Sequence, residues 1–214
     1  AIAKLVPFDA IQDLLKAMEH AGFWPYLAVQ QWFKGCSLFG VGAIAFIGSG
    51  IIAREADQRT AEFLFSRPLS RRRVLYTRHS LVCVLTLGPV VLSSISAIWL
   101  SRSIGEYVGW GELLASTLYM CLFLWSLICL TTLVSAWAVH QLTAGAVVVG
   151  VALVSFAMFL VQGLGWLSPF SLIDVRVFMA IHDGQWPWWP SIALLVASFV
   201  MLMLADIRLQ RRDF

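Results

Sequence analysis

Five long runs of the sequence contain no Asp, Glu, Lys or Arg, and each is long enough to cross a lipid bilayer as a helix. A bilayer core of about 30 Å needs about 20 apolar residues in helical conformation. The charge-free runs lie at 35–53, 79–101, 113–142, 143–173 and 184–205. Over the whole chain of 214 residues 60% are hydrophobic and 13% are charged, whereas soluble domains carry about 25% charged residues. The sequence therefore predicts an all-α integral membrane protein.

The third and fourth runs are continuous and together are too long for one helix. We expect two spans that meet near His140 and Gln141, followed by an outer segment that does not cross the bilayer. This interpretation gives five spans in a single transmembrane domain, 1–214. The predicted spans are 35–53, 79–101, 113–139, 143–162 and 186–205, and the segments outside them are 1–34, 54–78, 163–185 and 206–214.

The arginines are distributed unevenly between the two sides of this arrangement. Residues 54–79 carry seven Arg and residues 206–214 carry three, whereas the opposite side holds five Lys or Arg in longer segments. Short segments rich in Lys and Arg remain in the cytoplasm, so 54–78 and 206–214 are predicted to be cytoplasmic. Tryptophans favour the membrane interface. Eight of them fall at the outer ends, namely Trp24, Trp32, Trp99, Trp110, Trp166, Trp186, Trp188 and Trp189.

The predicted spans lack the groups on which ion-coupled transport or membrane hydrolysis depends. No carboxylate lies at bilayer depth, where a coupling ion would have to be bound. His79 and His140 fall at span ends and are expected to be interfacial anchors, and the serines of 93–96 are expected to make local or interhelical hydrogen bonds. The four cysteines form no CxxC or CxC motif, and the net charge is only +3. We therefore expect no catalytic residue, no metal, no cofactor in this chain and no nucleic-acid partner.

The cytoplasmic loop between the first two predicted spans carries most of the functional information. Thr60 is a suitable N-cap for a short helix to about Ser66, and Pro68 ends that helix before Ser70 caps the next. The short helix would present 63–65, Phe-Leu-Phe, on the membrane face. Two interpretations remain open: these side chains dip into lipid headgroups, or they fill a groove on a cytoplasmic partner. No GxxxxGK[ST] motif occurs in the chain, so any nucleotide would be bound by another polypeptide.

The loop resembles the coupling segment of bacterial type-2 ABC exporter permeases. That pattern has an acidic residue, Gly-Thr, a leucine-rich stretch with Glu, and Ser-x-Pro-x-Ser-Arg. The matching residues here are Glu55, Thr60, Glu62, Phe63, Leu64, Ser66, Pro68, Ser70 and Arg71. Leu-Ser-Pro-Phe at 167–170 and Arg-Arg-Asp-Phe at 211–214 also match the family. Arg59 departs from it, because the family has Gly before the Thr.

The resemblance implies a permease subunit of an ATP-driven exporter in the bacterial inner membrane. It implies pairing with a second permease, as a homo- or heterodimer, and seating on an ABC ATPase subunit that binds ATP and Mg. The docking segment implied for the ATPase consists of Glu55, Thr60, Glu62, Phe63, Arg67, Pro68, Ser70 and Arg71. The family has a first span that this sequence lacks, so we expect one more span before Ala1. The alternatives are a non-transporting membrane scaffold or assembly subunit and a lipid-modifying enzyme, for which the sequence offers no catalytic constellation.

Three further features concern the outer segments and the helix contacts. Residues 7–22 have apolar side chains at helical spacing and predict an amphipathic helix outside the membrane. A short interfacial or re-entrant helix is expected at 171–181, followed by a tryptophan-rich anchor before the last span. Small residues four apart, at 45 and 49 and at 146 and 150, allow close approach of helices.

Overall fold

The computed structural model describes residues 23–57, 70–161 and 163–211, and every regular element in these ranges is helical. The predicted amphipathic helix at 7–22 and the predicted helix at 60–66 lie outside the described residues. The elements are α1 (Trp24–Leu27), π1 (Ala28–Phe39), α2 (Gly40–Ala43), π2 (Ile44–Gly48), α3 (Ala53–Asp57), α4 (Arg71–Ser103), α5 (Trp110–Trp137), α6 (Gln141–Leu160), two 3₁₀ turns (Gly165–Leu167 and Pro169–Ile173), α7 (Val175–His182) and α8 (Trp188–Gln210).

Four helices in the described residues, α4, α5, α6 and α8, are long and apolar enough to cross a membrane. The expected break near His140 and Gln141 is confirmed, since α5 ends at Trp137 and α6 begins at Gln141. Helix α4 begins before the predicted boundary at 79 because the Ser70 hydroxyl accepts a hydrogen bond from the Arg73 N–H at 3.3 Å and caps it.

The segment before α3 is a nearly continuous helical run, 24–48, in which α and π hydrogen bonding alternate. A π turn is wider than an α turn, and in it the carbonyl of the residue five positions earlier lies close to the helix surface. A Cβ at Gly35 would stand 2.8 Å from the Gln30 carbonyl oxygen, so this turn is built on a glycine. The run extends between the two ends of the bundle: Trp24 bonds Phe178 at one end, and Ile52, just after the run, bonds Ser135 at the other.

These two ends differ in composition, and we name them by it. The arginine-rich end comprises residues 49–57, 70–79, 135–141 and 206–211. The tryptophan-rich end comprises 23–27, 104–112 and 163–190. Helices α4, α5, α6 and α8 run between these ends in alternating directions. The charged side chains described below therefore converge at one boundary of the apolar bundle.

Helix α5 forms the centre of the bundle. In its most apolar window 56% of the residues are buried inside the protein, compared with 11% for α6, which is peripheral. The first run packs on α5 through glycines: Cβ atoms added at Gly40 and Gly48 would lie 2.8 Å from Leu124 and 2.9 Å from Thr131. The small residues Ala45 and Ser49 approach Gly145 of α6. The pattern at 45 and 49 thus marks a close helix contact, as its spacing predicted.

The tryptophan-rich end is closed by aromatic packing. The Trp24 indole N–H donates to the Phe178 carbonyl at 3.2 Å, and Trp32 stacks on Phe178 with ring centroids 5.1 Å apart. The Tyr119 hydroxyl donates to the Leu172 carbonyl at 2.8 Å. The single helix expected at 171–181 is in fact two pieces, a 3₁₀ turn and α7, because Asp174 between them has an extended backbone.

The Leu-Ser-Pro-Phe match at 167–170 has a structural role at this end. The Ser168 hydroxyl accepts from the Phe170 N–H at 3.1 Å and donates to the Ser155 carbonyl of α6 at 2.6 Å. Pro169 occupies the first position of the 3₁₀ turn, and Phe170 is buried. The motif therefore starts a turn and ties it to a neighbouring span.

Candidate functional site

Segment 58–69 has two flanks, residues 51–57 before it and residues 70–72 after it. A network of charged and hydroxyl groups at the arginine-rich end surrounds both flanks. Of the predicted docking residues, Glu55, Ser70 and Arg71 belong to these flanks and are described. Thr60, Glu62, Phe63, Arg67 and Pro68 lie outside the described residues, so the structure does not bear on their placement.

Glu55 on α3 forms an ion pair with Arg78 on α4. Its Oε1 lies 2.7 Å from Arg78 Nη2, and both side chains are largely shielded, at 18% and 29% exposure. Arg78 Nη1 also donates to the Ile51 carbonyl at 2.9 Å. One guanidinium therefore fixes both the α3 carboxylate and the turn before α3 to the first turns of α4, in the fork geometry that suits Arg rather than Lys.

Ser135 on α5 holds the same turn from the opposite side. Its hydroxyl accepts hydrogen bonds from the N–H groups of Ile52 at 2.9 Å and Ala53 at 3.0 Å, and it donates to the Ser49 carbonyl at 2.9 Å. The Ser135 side chain is completely buried. It thus satisfies three backbone groups that lie between the first run and α3, where no intrahelical partner is available to them.

Asp57, the last residue of α3, connects this flank to α6. Its Oδ1 lies 2.8 Å from His140 Nδ1, and its Oδ2 accepts from the Gln141 N–H at 3.4 Å. These two hydrogen bonds lower the pKa of Asp57. The carboxylate is therefore charged at neutral pH, as suits an anion at the N-terminus of α6. Its contribution to stability is present above the ordinary Asp pKa and is lost as the pH falls through the lowered value.

The other flank of the segment is fixed to the end of α8. Arg71 Nη1 donates to the carbonyls of Leu209 at 3.2 Å and Gln210 at 3.3 Å. These are the last carbonyls of α8 and lie at the negative end of the helix dipole. A cation from α4 therefore caps the C-terminus of α8.

A second arginine of α4 pairs with a carboxylate at the start of the predicted C-terminal segment 206–214. Asp206 lies on α8, and its side chain is only 8% exposed. Its Oδ2 lies 2.9 Å from Arg72 Nε, and its Oδ1 accepts from Gln210 Nε2 at 2.9 Å. Nearby, the Arg208 guanidinium stands over the Trp137 ring at 4.7 Å. The start of α4 and the end of α8 are thus joined by hydrogen bonds and an ion pair.

His79 is part of a buried polar chain between α4 and α5. The expectation that it is an interfacial anchor is wrong, because the residue is 5% exposed. The Trp125 indole, which can only donate, bonds His79 Nε2 at 3.3 Å, so Nδ1 carries the proton and donates to Thr132 Oγ1 at 2.9 Å. The neutral imidazole therefore joins the two helices just inside the charged network.

Sequence patterns indicated only part of this network. The resemblance indicated Glu55, Ser70 and Arg71, and helix-cap chemistry also indicated Ser70, whereas no pattern singled out the partners Arg78, Ser135, Asp57 and Asp206. A signal existed for Asp206, since a carboxylate within the last turns of an apolar helix needs a partner. The serines at 93, 94 and 96 do make local bonds as predicted, and Ser93 also accepts from Gln31 of π1 at 2.7 Å.

No group of three or more His, Cys, Asp or Glu side chains in the described ranges is placed to hold a metal ion. The network consists of ion pairs, helix caps and backbone contacts, and it connects α3 and α4 to α5, α6 and α8.

A comparison with family models matches residues 7–214 to the model described as ABC-2 family transporter protein. The chain belongs to the ABC-2 transporter family. Comparison with curated proteins finds no match. Comparison with solved structures finds none either. The chain is thus an ABC-2 type permease and a multi-pass membrane protein, in a family that normally works with an ABC ATPase.

Proposed function

We propose that this ABC-2 permease is the transmembrane subunit of an ATP-driven exporter and that segment 58–69, with its flanks, docks on a separate ATPase subunit. The observation that supports this most directly is the fixation of both flanks. Residues 51–57 are bonded to α4, α5 and α6, and residues 70–72 are bonded to the end of α8. A displacement of the segment between them would therefore reach all four apolar helices.

The flanks transmit different components of such a displacement. Movement of α3 pulls on α4 through Arg78 and on the start of α6 through Asp57. Movement of the α4 start carries the C-terminal end of α8 with it through Arg71 and Arg72. Because α5 is buried at the centre, it is the natural pivot for the other helices. In this proposal ATP binding and Mg coordination reside in the partner ATPase, and this chain has no catalytic residue.

We further propose that the chain crosses the membrane five times, with 54–78 and 206–214 in the cytoplasm of a bacterial cell. The fifth crossing lies in the helical run 24–48, which overlaps the predicted span 35–53 and extends between opposite ends of the bundle. The distribution of arginines supports the orientation. A second permease, identical or different, would complete the translocation path.

The polar groups in the described spans favour transport that is driven by ATP over transport that is driven by an ion gradient. Those groups are hydroxyls, thiols, Gln30, Gln31, a neutral His79 and the exposed Lys34 of π1, whereas the carboxylates Asp206 and Glu112 lie close to helix ends. We expect transport by reconstituted vesicles to require ATP and the partner and to be indifferent to an imposed pH gradient. Flux driven by the gradient without ATP would contradict the proposal.

The docking assignment is tested by the double change Glu62→Ala and Phe63→Ala. Truncating an aromatic side chain that fills a partner groove typically costs roughly 2 kcal/mol or more of binding free energy. We expect loss of ATPase co-purification and of ATP-dependent transport with normal membrane insertion. The matched control is Tyr76→Ala, which removes an exposed aromatic at the same end of the bundle.

Three outcomes separate the alternatives. Loss of the ATPase in the double variant, but not in Tyr76→Ala, supports docking through the predicted segment. Normal ATPase retention and transport in the double variant would remove the coupling assignment. A wild-type chain that co-purifies with other membrane subunits and never with an ATPase would favour the scaffold alternative.

A further inference from the structure

A cavity of about 740 Å³ opens at the arginine-rich end between the first run and α4. Its volume falls within the roughly 300–1,000 Å³ range of pockets that hold small molecules. The deeper wall is apolar and includes Phe46, Leu81 and Leu85, and the mouth carries Arg54 and Arg78. The cavity is therefore amphipathic, with its charged part at the boundary of the apolar bundle.

The apolar wall opens toward the surroundings of the bundle. Phe46 is 79% exposed and Leu81 is 57% exposed, so a chain that lies against the bundle can enter sideways. Residues 78 and 85 are two turns apart on α4, and at 1.5 Å per residue the wall extends about 10 Å inward from the Arg78 level. This depth matches a headgroup region followed by the first part of an acyl chain.

The charge at the mouth favours an anion. Arg78 is balanced by Glu55, but it uses one donor on each terminal nitrogen for Glu55 and Ile51, and a guanidinium has five donors. Arg54 is exposed and makes no ion pair with the described residues. The pair of arginines therefore leaves one positive charge unbalanced and free N–H donors at the cavity mouth, an arrangement suited to a phosphate. Gln141 adds an amide at the same rim.

We propose that this cavity binds an anionic phospholipid of the adjacent leaflet, with its phosphate between Arg54 and Arg78 and one acyl chain along Phe46, Leu81 and Leu85. The lipid would lie directly against α3 and the α4 start, so its occupancy would stabilise the flanks of segment 58–69. This proposal requires only that the bundle lie in a bilayer. It is independent of the ATPase assignment and can fail or succeed separately from it.

Native mass spectrometry of the purified full chain tests the proposal, with phosphatidylglycerol and phosphatidylcholine of the same acyl chains as probes. We expect the wild type to retain phosphatidylglycerol in preference. Arg54→Gln should weaken that retention about tenfold, the size of effect typical of one charge-assisted contact. The control Arg73→Gln removes another exposed arginine of the same end, one that does not line the cavity, and should leave retention unchanged.

A second pair of variants tests the acyl-chain part without changing charge. Leu81→Trp should obstruct the cavity and lower retention of both lipids, whereas Leu92→Trp, at another exposed position of α4 outside the cavity, should not. Equal losses in Arg54→Gln and Arg73→Gln would overturn the proposal in favour of general surface attraction. The proposal would also be overturned if Leu81→Trp dissociated a dimer of this chain while the lipid stayed bound, because a second copy of the chain would then cover the cavity.

Discussion

At the residue scale, Ser135 shows how much a single side chain contributes to the link between the first run and α5. Replacing it with Ala leaves the Ile52 and Ala53 N–H groups buried without their acceptor. A buried group left unpaired costs about 1–3 kcal/mol, so we expect Ser135→Ala to lower the free energy of unfolding by at least that order. Thermal unfolding in detergent measures the change.

The matched control for this experiment is Ser126→Ala on the same helix. Ser126 is also buried, but its hydroxyl only donates to the Phe123 carbonyl of its own helix. That carbonyl keeps its backbone partner in the helix, so we expect a loss below about 1 kcal/mol. Equal losses in the two variants would contradict the bridging role of Ser135.

The ion pair between Arg72 and Asp206 gives a second prediction at this scale. Arg72 is 65% exposed, so solvent screens the pair, and we expect a coupling free energy of only about 0.5–1 kcal/mol. A double-mutant cycle with Arg72→Ala and Asp206→Ala measures it by unfolding in detergent. The same cycle with Arg73→Ala in place of Arg72→Ala should give no coupling, and coupling of equal size there would refute the pairing.

Individual partners in this network could not be predicted from the sequence. Ser135 and Ile52 are separated by 83 residues, and Asp57 and Gln141 by 84. Helical periodicity identifies which residues share a face of one helix, but it does not determine which helix packs there. The burial of His79 could not be predicted for the same reason, because its position near a span end does not show that Trp125 packs beside it.

At the element scale, the contact between the first run and α5 depends on glycine. A Cβ at Gly48 would lie 2.9 Å from Thr131 Cγ2, whereas nothing lies within 4 Å of a Cβ at Gly42. We expect Gly48→Leu to separate the run from α5 and to cost about 1–3 kcal/mol, as overpacking does. Gly42→Leu, its matched control, should be neutral or slightly stabilising because Leu has the higher helix propensity. Unfolding in detergent distinguishes them, and equal effects would contradict this packing.

The elements themselves were largely predictable, since uninterrupted apolar runs and the break at 138–140 are encoded locally. The start of α4 was predicted through the Ser70 cap, whereas the apolar span was placed later, at 79, because the charge-free criterion excludes 71–78. The π segments were missed because apolar periodicity does not distinguish α from π hydrogen bonding, and Gly35 alone does not specify the wider turn that it permits.

At the scale of the whole molecule, the family and the membrane location followed from composition and loop motifs, while the number of crossings depends on the run 24–48. Its pieces are individually too short to count as spans, yet Trp24 and Ile52 contact opposite ends of the bundle. When each helical piece is judged separately by its length and hydropathy, the chain has four spans. The contacts at the two ends of the connected run 24–48 favour five.

Cysteine labelling in oriented vesicles tests this count, in a background with the four native cysteines replaced by alanine. We expect Ser70→Cys to react only from the cytoplasmic side, because Ser70 is exposed at the arginine-rich end, and Glu106→Cys to react only from the outside, because it follows the other end of α4. Tyr26→Cys decides the fifth crossing: reaction from the outside, as for Glu106→Cys, is expected if the run crosses. Reaction of Tyr26→Cys from the same side as Ser70→Cys would reduce the spans to four, and labelling of Ser70→Cys from the outside would reverse the proposed orientation.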